Sequence, residues 1–233
     1  MINIKGIQGV SLIDYPGKVA TTIFTAGCNF RCPFCHNPEL IEDVRDENTI
    51  TTDKIFSILT KRRNFIDGVC ITGGEPLINE NIIEFIELLK GKTGLDIKID
   101  TNGYTPDILK KVIDRGLAQY IAMDVKTSPQ RYYEAAGIDM KNENILRSID
   151  LIMASSVPYE FRTTVVPGIV ESADIREICS VISGADKYAL QQYRNGKTLD
   201  RRYSDVHPYK PEKIEKMRDI AKQFIEDVEI RGI

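Results

Sequence analysis

Cys28-Asn29-Phe30-Arg31-Cys32-Pro33-Phe34-Cys35 follows closely on residues 19–25, a β-branched run that predicts a strand. A cysteine triplet just past a strand places chemistry at that strand's C-terminal end. The same arrangement recurs along the chain. Gly73, Gly74 and Glu75 follow a short apolar strand at 68–72. Asp100 and Thr101 end a strand at 95–100, and Asp124 and Lys126 fall at the end of one at 118–125. Arg162 lies within a strand at 158–166, and Gln191 and Gln192 close one at 187–192. Apolar residues at helical spacing predict helices at 51–65, 79–90, 105–115, 172–182 and 211–226, with helical segments at 129–136 and 142–154. Thr105 reads as a cap, with Pro106 at the first helical position. A short strand at 228–231 is the last element. Six strand-then-helix units require parallel strands. An open doubly wound sheet would gather its chemistry at one switch point. Polar residues at nearly every strand end favour a partial (βα)6 TIM-like barrel, whose strand ends converge on one mouth.

The spacing C-x3-C-x2-C also speaks to chemistry. Thiolates suit zinc, copper(I) or iron–sulfur clusters. Structural zinc takes four ligands, commonly as two short pairs, and there is no second pair here. His36 could close such a site only from the position adjacent to Cys35, and neighbouring side chains point apart. Three thiolates suit a [4Fe-4S] cluster with one iron left open for a ligand, whereas an electron-transfer cluster is closed by a fourth cysteine. Five cysteines is an odd count for a disulfide framework. Cys70 and Cys179 lie in apolar runs and read as core.

Composition narrows the rest. The 233 residues carry 42% hydrophobic and 28% charged residues and a net charge of −3, so no general basic field points to nucleic acid. No apolar run would span a bilayer, and residues 1–6 lack a signal-peptide core. These features predict a cytoplasmic protein of one domain, 1–233, with an N-terminal extension at 1–18 and a C-terminal helix at 211–226.

The motifs, in order, resemble the radical S-adenosylmethionine (SAM) enzymes. They are Ile13-Asp14-Tyr15-Pro16-Gly17, the cysteine run with His36-Asn37, and Gly73-Gly74-Glu75-Pro76. Then come Asp100-Thr101-Asn102-Gly103, Met123-Asp124-Val125-Lys126, and Arg162 with Val165-Val166-Pro167-Gly168. The set is similar to the glycyl-radical-enzyme activases, above all the longer activators of anaerobic ribonucleoside-triphosphate reductase. Activators of pyruvate formate-lyase are the alternative. The resemblance implies a [4Fe-4S] cluster on Cys28, Cys32 and Cys35. A reduced cluster would cleave SAM, and the 5′-deoxyadenosyl radical would take hydrogen from a glycine of a partner enzyme.

By the same resemblance, Gly73, Gly74, Glu75 and Asn102 border the methionine end of SAM, with Glu75 accepting from its ammonium. Asp100, Asp124 and Lys126 surround its carboxylate, the two aspartates could share a monovalent cation, and Arg162 matches the activase arginine before Val165-Val166-Pro167-Gly168 and counts among the SAM contacts. Phe34 and His36 fall where such enzymes contact adenine, and Asn37 beside them counts among the SAM contacts. The electron donor implied is a flavodoxin or ferredoxin. Arg31 could offset cluster charge or be a solvated side chain. Gln191-Gln192-Tyr193-Arg194 ends in arginine where pyruvate formate-lyase activators carry histidine, which weighs against that target. No role follows for Arg194 or His207. A small-molecule substrate remains a rival, which a deep polar pocket would favour over an open groove.

Overall fold

The computed structural model describes residues 2–44, 46 and 49–233. Eight strands form one sheet in chain order. β1 (Ile4–Ser11) pairs antiparallel with β2 (Ala20–Thr25). From β2 onward every neighbour is parallel: β3 (Gly68–Gly73), β4 (Asp96–Thr101), β5 (Tyr120–Asp124), β6 (Tyr159–Val165), β7 (Tyr188–Gln192) and β8 (Val228–Arg231). A strand order without reversal has no switch point, and successive right-handed crossovers wind the sheet one way. The result is the incomplete barrel expected from the strand-end residues. β1 and β8 are not hydrogen-bonded to each other, which leaves one side open.

The strands between the turns are apolar on one face only. Ile71, Ile97, Ile99, Ile121, Met123, Phe161 and Leu190 are fully buried in one hydrophobic cluster. The cluster takes in side chains of α1 (Thr52–Arg62), α2 (Ile82–Thr93), α3 (Pro106–Asp114), α5 (Glu143–Met153), α6 (Ser172–Val181) and α7 (Pro211–Ala221). The alternate positions, Lys98, Asp100, Asp124, Glu160, Arg162 and Glu229, are polar and face the barrel interior with period two. The short α4 (Tyr132–Ala136) follows β5 and packs beneath the cysteine run through Arg31 N–H to Ala136 C=O, 2.8 Å.

Three expectations change. Residues 4–11, within the stretch expected as an extension and given no strand, form an antiparallel edge strand; Gly6 and Gly9 interrupt its β pattern in the sequence. The last helix ends at Ala221, because Phe224 and Ile225 turn back to the Ala221 carbonyl before the chain enters β8. Thr105 precedes α3, but its buried hydroxyl caps nothing and has no hydrogen-bond partner among the described residues; Pro106 alone marks that start.

Candidate active site

The cysteine run is a loop tied down from three sides. Arg31 donates to the carbonyls of Cys28 (2.7 Å) and Phe30 (3.0 Å) and pairs with Glu42, so it staples the loop's own backbone. The strap after β7 contributes Leu199 N–H to Cys35 C=O (3.0 Å) and Asp200 N–H to Pro33 C=O (2.9 Å). His36 stacks on Tyr193 at 5.6 Å and bonds the Lys197 carbonyl through Nδ1. Phe34 is buried edge-on to Tyr203. Asn37 is exposed beside the 3-10 turn that begins at Pro38.

All three cysteines line one cavity of about 230 Å³, with Phe34, His36, Asn37, Gly73, Gly74, Glu75, Asp100, Asn102, Asp124, Lys126 and Arg162 around them. Every residue expected in the site therefore meets in one place. Burial pushes the Cys32 thiol up to about 12 and also raises Cys28, so these thiols stay protonated unless a metal takes the proton's place. Among the described residues no three His, Cys, Asp or Glu side chains are close enough to share one ion. Asn29 Nδ2, next to Cys28 in sequence, is buried without a hydrogen-bond partner among the described residues.

The glycines of the second motif have a use that spacing alone did not suggest. Gly74 N–H reaches Thr25 C=O and Glu75 N–H reaches Gly27 C=O, so the turn lies directly on the turn after β2. A Cβ on Gly74 would stand 2.1 Å from the Gly27 carbonyl oxygen. Gly73 has φ +120°, and its Cβ would meet Thr25 backbone at 2.4 Å. Gly74→Ala should cost about 1–3 kcal/mol, since backbone must move to make room. Urea unfolding of the cluster-loaded protein measures it, and wild-type stability would contradict the packing argument.

Glu75 is 1% exposed and bonds three protein donors. Oε1 accepts from Leu77 N–H (3.1 Å) and Thr101 Oγ1 (2.8 Å), and Oε2 from Asn102 N–H (2.6 Å). Burial pushes its carboxyl up to about 7 against these bonds, which favour the charged form. Glu75 thus joins the turns after β3 and β4. Glu75→Gln turns an amide NH₂ toward one of these donors. The expected loss is about 1–3 kcal/mol by the same unfolding assay, and no loss would show the clamp to be dispensable.

The remaining charges form a row across β4, β5 and β6. Arg162 donates from Nε to Asp124 (2.8 Å) and from Nη1 to Asp100 (3.2 Å). Lys98 pairs with Asp100, and Lys126 Nζ lies 2.9 Å from Asp124. Burial opposes ionisation of both aspartates. Arg162 with Lys98 nonetheless holds Asp100 below the usual carboxylate range, and Arg162 with Lys126 does the same for Asp124. Burial also works against the Lys126 ammonium, and Asp124 outweighs it, so its pKa is raised.

A second cavity, of about 920 Å³, runs along the inner faces of β6 to β8 and shares His36, Arg162 and Thr164 with the first. Ile13, Asp14 and Pro16 line one side and Ile230, Arg231 and Gly232 another, so it reaches the open side of the barrel. A tier of ion pairs lines its wall: Glu160 with Arg231 (2.6 Å), Arg231 with Glu229 (3.0 Å), and Glu229 with Lys187 (2.8 Å). Arg194 also lines this cavity.

Sequence reasoning missed Lys98, Glu160 and the strap at 197–203. Lys98 sits two residues before Asp100, so period two along β4 would have placed it in the interior. Cys70, read as apolar core, is buried but faces that interior, 3.7 Å from Lys98 Nζ and 3.8 Å from Asp100. The strap left little signal, because its hydrogen bonds to the cysteine loop are made by backbone and only Tyr203, against Phe34, adds a side chain.

Comparison with known proteins agrees with this site. Residues 22–181 match the model of the Radical SAM superfamily. A Methanocaldococcus jannaschii protein, provisionally named as a glycyl-radical enzyme activating enzyme, is 35% identical across 99% of this chain and 96% of its own length. The pyruvate formate-lyase-activating enzyme of Clostridium pasteurianum is 25% identical across 97% of this chain and 99% of its own. Among solved structures, Streptococcus suis SuiB bound to its precursor peptide SuiA superposes with a TM-score of 0.67 at 15% identity, over 91% of this chain and 48% of that one. QueE from Escherichia coli gives 0.53 at 16%, over 100% and 94%. These two support the fold alone. With the cysteine loop, the polar barrel mouth and the full-length relatives together, the chain belongs to the radical SAM superfamily and to its glycyl-radical-enzyme activating enzymes.

Proposed function

We propose that this chain activates anaerobic ribonucleoside-triphosphate reductase by generating a radical on one of that enzyme's glycines. Cys28, Cys32 and Cys35 hold a [4Fe-4S] cluster that, when bound and reduced, supplies the electron that cleaves SAM. Gly73, Gly74 and Asn102 border the methionine end of SAM, and Glu75 meets its ammonium through a lone pair not used by the protein donors. Arg162 and Lys126 attract the methionine carboxylate, and Phe34, His36 and Asn37 face the adenosine. The protein's work is orientation and exclusion of water, so no side chain need act as general acid or base.

One observation carries the reading. The cavity lined by the cysteines continues into a polar cavity that reaches the side of the barrel. A loop of a partner protein could enter from that side and bring a glycine to the SAM site. The polar depth of this cavity would suit a small molecule, and its opening at the side of the barrel is what favours a protein loop. Pyruvate formate-lyase is the second reading, favoured by the likeness to the C. pasteurianum enzyme. The working setting is cytoplasmic, with a flavodoxin or ferredoxin as donor and residues 1–233 as one functional unit. No helix among the described residues is long and apolar enough to cross a membrane.

The test incubates the reconstituted protein, SAM and reductant with anaerobic ribonucleoside-triphosphate reductase and with pyruvate formate-lyase in turn, under anaerobic conditions. A glycyl-radical spin-resonance signal on the ribonucleotide reductase alone supports the proposal. A signal only on pyruvate formate-lyase transfers it to the second reading, and none on either overturns both.

A further inference from the structure

We infer that the Lys126 ammonium serves as the built-in counter-ion of this site, so that SAM binds without any alkali-metal ion. The inference rests on the reading above that the methionine carboxylate lies against Asp100, Asp124 and Lys126. Two neighbouring carboxylates need compensating charge to stay ionised. The family resemblance allows a monovalent cation to supply it. The residues present do not fit such an ion.

Each oxygen of the two carboxylates already faces a cationic N–H. Asp100 Oδ1 meets Lys98 and Oδ2 meets Arg162; Asp124 Oδ1 meets Arg162 and Oδ2 meets Lys126. Three cations, Lys98, Arg162 and Lys126, therefore stand against two anions, Asp100 and Asp124. Among these five side chains there is one positive charge in excess before any ligand arrives; of the neighbouring carboxylates, Glu160 is paired with Arg231, and Glu75 is held by Leu77, Thr101 and Asn102 and is left for the ligand's ammonium. A metal cation would raise the excess to two and would have to displace Lys126 or Arg162 from its oxygen. A ligand carboxylate brings the row to neutrality. Lys98 is 2% exposed, whereas the Lys126 side chain is 19% exposed and lines the cavity with the cysteines. Arg162 also lines that cavity but already bridges both aspartates, so the spare charge open to a ligand is that of Lys126.

The test measures SAM affinity by equilibrium titration of the cluster-loaded protein in tetramethylammonium buffer at constant ionic strength. Tetramethylammonium is too bulky to enter the site. Sodium, potassium or ammonium is then substituted. Wild-type affinity should be the same in all four; a wild type that tightens in potassium or sodium overturns the inference. Lys126→Met keeps the stem and removes the charge. It should bind SAM about ten- to a hundred-fold more weakly, with cluster absorbance unchanged. Ammonium or potassium should recover much of that loss by filling the vacated position beside Asp124. Lys126→Ala, with more room, should recover at least as well. A loss that no small cation restores in either variant overturns the counter-ion assignment, as does undiminished SAM affinity of the Lys126 variants in tetramethylammonium. A wild-type protein that holds its cluster and binds no SAM in any buffer overturns the functional reading itself, and the inference with it.

Discussion

Replacing Cys28, Cys32 or Cys35 by alanine should each abolish SAM cleavage, while Cys70→Ala and Cys179→Ala retain it. The three loop cysteines line one cavity, and no fourth thiol lies there to substitute for a lost ligand. With two ligands the cluster should assemble poorly, so iron content should fall together with activity. Cys179 is buried in the apolar cluster and touches nothing in the site. Cys70 is the sharper control. It lies inside the barrel against Lys98 and Asp100, but burial holds it as a neutral thiol, its pKa well above that of a free cysteine. Its loss should trim SAM affinity at most and leave iron unchanged. Equal loss of iron in Cys70→Ala would show that the division of the five cysteines is wrong.

Arg162→Met should lower both stability and SAM affinity. One guanidinium bridges Asp100 and Asp124, and its side chain is 13% exposed. Removing one partner of a buried ion pair costs about 3–5 kcal/mol. Lys98 and Lys126 remain on the two carboxylates, so the lower end of that range, about 3 kcal/mol, is expected. Arg162→Met combined with Asp100→Asn should cost less than the sum of the two changes, because the second removes an anion that the first left under-compensated. Anaerobic urea unfolding gives the cycle. Strict additivity would show that Arg162 acts through its stem and not its charge.

Much of this was legible in the sequence, and for a physical reason. Active residues of a parallel barrel must stand at strand ends, so Cys28, Gly73, Asp100 and Asp124 mark both the fold and the mouth. Period two should have extended the reading inward to Lys98 and Glu160, whose buried charges look like surface residues when counted singly. Other features depend on tertiary contact and leave no local trace. β1 is a strand because β2 offers it an edge, despite Gly6 and Gly9. Gly74 is constrained by the Gly27 carbonyl, 47 positions earlier in the chain. Arg31 stays half exposed while its guanidinium turns onto the carbonyls of Cys28 and Phe30, a contact that spacing alone does not show.

The central claim is that three cysteines hold a cluster which cleaves SAM, and one measurement tests it most directly. Anaerobically reconstituted protein is assayed for metal and sulfide, then reduced in the presence of SAM, and 5′-deoxyadenosine is quantified. The account predicts about four irons and four sulfides per chain, with 5′-deoxyadenosine formed only after reduction. One zinc per chain and no 5′-deoxyadenosine would contradict it.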